Sequence, residues 1–200
     1  MTRRRVVVHL RPFSSSSSSN STRERCGAPD QCDNHGVEGT TDRDRAGAPD
    51  PAETTDEQVL AWLEEYRDLS LEVIEDHAGD PEGAVRGLVA LHVEWTEADP
   101  DRARAVAAGR GRVAAGALGN RLRDSNRILF RRLAEWVGQA RTDGAIRTDS
   151  VALLHALVFA PTQELARLHL AGLLDRPLGE YREELARAAW DSIRADSGND

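Results

Sequence analysis

Three histidines, one serine, a cluster of glycines and two cysteines are the residues whose types and spacing could do chemistry. His92 falls in one apolar segment and His155 and His169 fourteen residues apart in another. A metal centre would need them to converge with an acid such as Glu94 or Glu164, and neither His-Glu-x-x-His nor a repeated Glu-x-x-His pattern is present. They read instead as core or pocket histidines, each with one hydrogen bond. Ser125 and His155 match two members of a hydrolytic triad by type, but no nucleophile elbow surrounds the serine. Gly109, Gly111 and Gly116 follow no strand-like segment, and the chain holds no lysine, so a phosphate-cradling loop is excluded. Cys26, Cys32 and His35 are one ligand short of a structural zinc site and read as free thiols beside a histidine. No metal, no organic cofactor and no turnover is expected; the chemistry on offer is binding.

The charges narrow what could be bound. All 26 basic residues are arginine, against 34 acids, for a net charge of -8. An acidic chain is a poor match for a phosphate backbone. The basic residues are nonetheless clustered. Residues 109–133 hold seven arginines and one acid, with Arg123, Arg127 and Arg131 at i, i+4 and i+8 and Arg121 and Arg132 beside them. An anion site is one reading. The other is a solvated face paired with an acidic helix, and residues 57–77 supply one, with seven acids and Arg67 alone. No aromatic residue is interleaved with these arginines to stack a base, which favours pairing.

Two stretches of different character position these residues. Residues 1–56 contain the serine run Ser14–Ser19, few large apolar residues, and many Gly, Pro, Asp and Thr, and are expected to be disordered. Arg3–Arg5 followed by Val6–Val8 imitate the start of a secretory signal, but the apolar run is too short. From residue 57 the apolar residues recur at helical spacing. Val59, Leu60, Leu63, Tyr66, Val73 and Ile74 mark a first helix, capped by Thr54, Thr55 or Asp56 and stopped at Gly79. Asp80-Pro81 and Asp99-Pro100 each pair an N-cap with proline at the first helical position and start the second and third helices. Gly109–Asn120 predicts a weak helix or a broken connection. A long fourth helix covers about 120–141. A fifth opens near Asp149 and reaches about Leu174, kinked at Pro161. Pro177 and Leu178 begin the last. No segment alternates with period two, and no apolar run is long enough for a membrane span. The expected fold is all-α, about six helices on one core over residues 57–196.

Four stretches of this region together resemble the C-terminal regulatory domain of TetR-family transcriptional regulators. They are Leu91–Arg104 (LHVEWTEADPDRAR), Asp143–Asp149 (DGAIRTD), Phe159–Gly172 (FAPTQELARLHLAG) and Leu185–Ile193 (LARAAWDSI). The third is the most specific, matching the family's usual pattern at Pro161, Glu164, Ala166, Arg167, Leu170 and Gly172, with Ala160 in place of a glycine. The family's N-terminal helix-turn-helix is not recognisable in residues 1–56, which hold eight Arg against nine acids and read as out-of-frame GC-rich coding from a misplaced start or a frame shift.

The resemblance implies a cytoplasmic homodimer that binds a small, partly apolar effector, and binds DNA only if a helix-turn-helix is supplied. A stand-alone helical dimerisation partner without DNA affinity is the alternative. The family's pocket among the middle helices implies ligand contacts from His92, Trp95, Phe130, His155, Phe159, Thr162 and Gln163. The last two helices carry more apolar residues than one core is expected to absorb. Pro161, Glu164, Leu165, Leu168, Leu173, Leu185, Ala189 and Trp190 are therefore the expected dimer contacts.

Overall fold

A computed structural model of the chain describes residues 54–196. The disorder expected of residues 1–56 thus falls, except at Thr54–Asp56, outside the described residues, as do Cys26, Cys32 and His35. The fold is all-α, with six helical rods and no strand among the described residues. They are α1 (Asp56–Asp76), α2 (Pro81–Ala98), α3 (Pro100–Ala115), α4 (Gly119–Thr142), a fifth rod, and α7 (Arg182–Ile193). The fifth rod consists of α5 (Val151–Leu154), a π turn (His155–Phe159) and α6 (Ala160–Leu170); a 3-10 turn at Leu178–Tyr181 leads into α7. No helix of the described residues is long and apolar enough to cross a membrane.

Local chemistry accounts for most of the boundaries. Of the three cap candidates for α1, Thr55 takes the role, and its hydroxyl accepts from the Gln58 amide while the Gln58 side chain accepts from the Thr55 amide. The Asp80 carboxylate accepts from Gly83 N–H at 2.9 Å, and that of Asp99 from Arg102 N–H at 3.0 Å, each with proline next in sequence. Gly79 and Gly172 take φ values of 85° and 69°, the left-handed conformation that lets a chain leave a helix without a Cβ clash. A short loop after α4 is stapled to the chain end. Arg147 N–H donates to Ile193 O and Ala195 N–H to Ala145 O, both at 2.9 Å, with Ile146 buried beneath.

α2 is the central helix, packed against α1, α3, α6 and α7. The main core joins Val85, Leu88 and Val89 of α2 to Leu133 and Val137 of α4, Leu154 and Val158 of the fifth rod, and Ala186, Ala189 and Ile193 of α7. A second cluster, Val59, Leu60, Val113 and Leu122, joins α1 to α3 and α4. A third, Val93, Ala166 and Leu178, sits under the 3-10 turn.

Two features of the backbone go beyond the expectations. The glycine-rich stretch, expected as a weak helix or a broken connection, is helix in its first part and connection in its second. α3 continues through Gly109 and Gly111 to Ala115, and the connection is only Gly116–Leu118. The reason is close packing, because a Cβ on Gly109 would lie 2.8 Å from Val59 Cγ2. Gly109 thus lets α3 approach α1, whereas Gly111 has nothing within 4 Å of its Cβ position. Gly109→Ala is therefore expected to lower stability by about 1–3 kcal/mol, since buried Val59 is β-branched and cannot swing aside. Gly111→Ala is expected to raise it by about 0.5–1 kcal/mol through helix propensity. Urea unfolding of the two variants checks the opposite signs.

The second feature is at Pro161. The rod accommodates the missing N–H with a π turn just upstream, in which Ala160 N–H bonds to His155 O. The turn carries one residue more than an α turn would, so it shifts the phase of everything after it.

Candidate functional site

A cavity of about 490 Å³ lies between α1, α2, α3 and α6. Its volume falls within the ~300–1,000 Å³ usual for small-molecule sites. Trp62, Leu63 and Tyr66 form one wall from α1, and His92, Trp95 and Thr96 a second from α2. The facing wall sets Ala103, Ala107 and Ala108 of α3 and Ala166 of α6 among the longer Arg104, Val106 and Arg110 of α3 and Gln163, Arg167 and Leu170 of α6. Bulky side chains on two helices opposite alanines on two others leave the space between them unfilled. A smaller cavity of about 100 Å³ adjoins it, reaching Phe130 on α4 and His155 and Phe159 on the π turn. Leu63, Tyr66, Arg110 and Gln163 line both.

The polar groups of the large cavity are few and specific. The Tyr66 hydroxyl lies 2.9 Å from His92 Nδ1. Burial holds the Tyr66 phenol well above its ordinary range, so it stays protonated and donates. Burial also pushes the His92 imidazole down to about 4, so it is neutral at pH 7, and with Nδ1 accepting, its proton sits on Nε2. Tyr66 packs edge-on to both His92 and Trp95, with centroids 5.6 and 5.5 Å apart. The Arg102 guanidinium covers the Trp95 ring at 4.6 Å. The Trp95 indole N–H is buried without an acceptor among the described residues. Such a donor costs about 1–3 kcal/mol.

Of the seven residues expected around one pocket, His92, Trp95 and Gln163 line the large cavity and Phe130, His155, Phe159 and again Gln163 the small one, so the structure divides them between two cavities. His155 and Phe159 stack with centroids 5.7 Å apart. Thr162 is different: it lines neither cavity, is buried, and its hydroxyl donates back to Val158 O. The α1 wall, Trp62 and Tyr66, and the cavity arginines were not foreseen as ligand contacts. The signal was the pair of aromatics at i, i+4 opposite the pair of alanines, Ala103 and Ala107, at i, i+4.

The remaining sequence constellations are taken up by pairing and packing. Arg112, Arg121 and Arg132 pair with Asp56, Glu64 and Glu75 of α1 at 2.5, 2.6 and 2.8 Å, while the Arg123, Arg127 and Arg131 row stays at solvent. Ser125 is buried and its hydroxyl accepts from Arg67 at 2.5 Å. No three His, Cys, Asp or Glu residues gather into a metal-holding group among the described residues.

The faces expected at a dimer interface are partly spent within the chain. Ala189 is buried in the main core, and Leu185 and Trp190 pack against it. Leu165 packs on the cluster under the 3-10 turn. The outer face retains Pro161, Glu164 and Leu173, which are exposed, and half-buried Leu168. Of the six apolar residues expected to exceed one core, four are thus absorbed, since Leu178 and the 3-10 turn supply an extra cluster that takes Leu165 and part of Leu185, while Leu173 and half of Leu168 stay outside it. Compared with family models and with curated proteins, the chain matches none.

Proposed function

We propose that residues 57–196 are the effector-binding and dimerising part of a TetR-like transcriptional regulator acting in the cytoplasm, a binding protein and not an enzyme. The observation that carries the reading is the 490 Å³ cavity, mainly apolar, whose lining offers a neutral His92, Gln163 and the arginines Arg104, Arg110 and Arg167 as polar groups to orient a guest. The order and spacing of the four family-like stretches support it, because two of them, Leu91–Arg104 and Phe159–Gly172, supply cavity walls. α1 links the cavity to the chain that precedes it, since Trp62 and Tyr66 face the guest on the helix that residues before 54 lead into. An effector that binds one placement of α1 better than another shifts the population toward it, and that differential affinity is the coupling a regulator needs.

The alternative, a stand-alone dimerisation partner without DNA affinity, draws support from residues 1–56, where eight Arg face nine acids and no amphipathic period appears. Translating the coding sequence of residues 1–56 in its other frames separates the two readings: an amphipathic three-helix pattern with a glycine turn running into residue 57 supports the regulator, and its absence in every frame supports the partner.

Both readings require a homodimer through the fifth rod and α7. Light scattering of the full chain at micromolar concentration is expected to give the dimer mass. Leu168→Arg is expected to give a monomer of unchanged helical circular dichroism, because a charge buried in an apolar contact costs several kcal/mol, about 3–5 where it is left unpaired. In the same samples a bound apolar effector is expected to raise the thermal midpoint. A wild-type monomer, or a Leu168→Arg dimer, removes the dimer from the reading.

A further inference from the structure

We propose that the guest of the large cavity is an apolar monocarboxylate whose charged end pairs with Arg110. The inference rests on the cavity being a binding site and goes on to name the chemistry it selects.

The chain carries a net charge of -8, yet no aspartate or glutamate lines either cavity. Every charged lining residue is an arginine: Arg104, Arg110 and Arg167 at the large cavity, Arg67 and Arg110 at the small one. Three of the four have partners. Arg104 donates to Asp101 and to Leu170 O, Arg167 forks onto Glu164, and Arg67 holds Asp68 and Ser125. Arg110 is exposed and makes no ion pair or side-chain hydrogen bond among the described residues. It stands where the two cavities meet, beside Gln163.

A guest with one charged end and an apolar body matches this layout. The body replaces water against Trp62, Leu63, Trp95 and the α3 alanines. The head takes the free guanidinium, whose planar fork suits a carboxylate with two parallel N–H···O bonds. One free guanidinium balances one negative charge. A phosphate monoester, carrying nearly two, would leave charge uncompensated beside an apolar wall, and an ammonium would face only arginines.

Calorimetric titration of the full chain with n-alkanoates from hexanoate to dodecanoate tests this, alongside decanol, decylamine and decyl phosphate. Decanoate is expected to bind more tightly than the other three decyl compounds, and affinity is expected to rise about fourfold per added methylene until the cavity is filled. Arg110→Gln is expected to weaken decanoate at least about tenfold and leave decanol unchanged. Arg127→Gln, on the solvent face of α4, is expected to change neither. Equal affinity for decanoate and decanol, or tighter decyl phosphate, overturns the carboxylate assignment while leaving the cavity a binding site. Loss of decanoate affinity in both arginine variants alike overturns the role of Arg110. No heat with any decyl compound overturns this inference and counts against the cavity as an effector site as well.

Discussion

Acidification from pH 7 to pH 4 is expected to remove up to roughly 3 kcal/mol of folding stability through His92 alone. In the unfolded chain the imidazole protonates near its ordinary value of 6.5, whereas in the folded chain burial keeps it neutral down to about 4. The unfolded state therefore binds a proton that the folded state refuses across this window, and stability falls as the pH falls from 6.5 toward 4. Above 6.5 both states are neutral and the effect vanishes. The groups facing the ring do not offset it. Tyr66 stays protonated, Trp95 does not titrate, and the charged cavity residues Arg104, Arg110 and Arg167 are cations throughout. His92→Gln keeps an acceptor for Tyr66 and lacks the titration. Urea unfolding of both proteins between pH 4 and 7 is expected to show the wild type losing the extra stability, with carboxylate contributions cancelling in the difference. Parallel profiles would mean that His92 is hydrated and titrates normally.

A cavity-filling substitution is expected to separate stability from binding. Ala107 lines the large cavity on α3 and is exposed to its open side, so a larger side chain there meets space and not packed atoms. Ala107→Phe loses about 0.5 kcal/mol of helix propensity and gains about 1.5–3 kcal/mol by burying the ring. The net expectation is a stabilised protein, by about 1–2 kcal/mol, that has lost most of the cavity volume. Affinity for an apolar guest is expected to drop at least about a hundredfold, since the ring occupies the place of the guest's body. Thermal denaturation and titration of one preparation check both halves. A destabilised variant, or one that binds as the wild type does, would show that Ala107 does not face the guest.

The helix starts were legible because their causes are local. Asp80-Pro81, Asp99-Pro100 and the Thr55–Gln58 box use side chains within three residues of the amides they satisfy. The glycines of α3 left helix and break both open because propensity alone penalises them, whereas the approach of Gly109 to Val59 that favours the helix is tertiary. Thr162 was expected at the pocket from the family resemblance alone, and it lines neither cavity. The π turn adds a residue to the rod and rotates the downstream residues by about 100° relative to a plain α-helix, and no residue pattern announces that phase shift. The apolar residues of α7 were taken for an outer face because the 3-10 turn that buries Leu178 was not foreseen. Half of the site was visible as aromatic and histidine side chains in the middle helices. The alanine wall was not, because a cavity is made by what is missing, and small residues at helical spacing look the same in a filled core. Arg110 was hidden in a basic run whose neighbours, Arg112 and Arg121, are ion-paired to α1.

Backbone amide exchange with and without a guest tests the central claim most directly, that the space between α1, α2, α3 and α6 is the effector site. Either decanoate or decanol serves, so the outcome does not depend on the charge of the head. Protection is expected to rise at Trp62–Tyr66, His92–Thr96, Ala103–Arg110 and Gln163–Leu170, the four segments that line the cavity. Residues of α4 beyond Leu133 and of α7, which face the main core, are expected to change little. Protection confined to α4 and α7, or no change in the four cavity segments at a saturating guest concentration, would contradict the account.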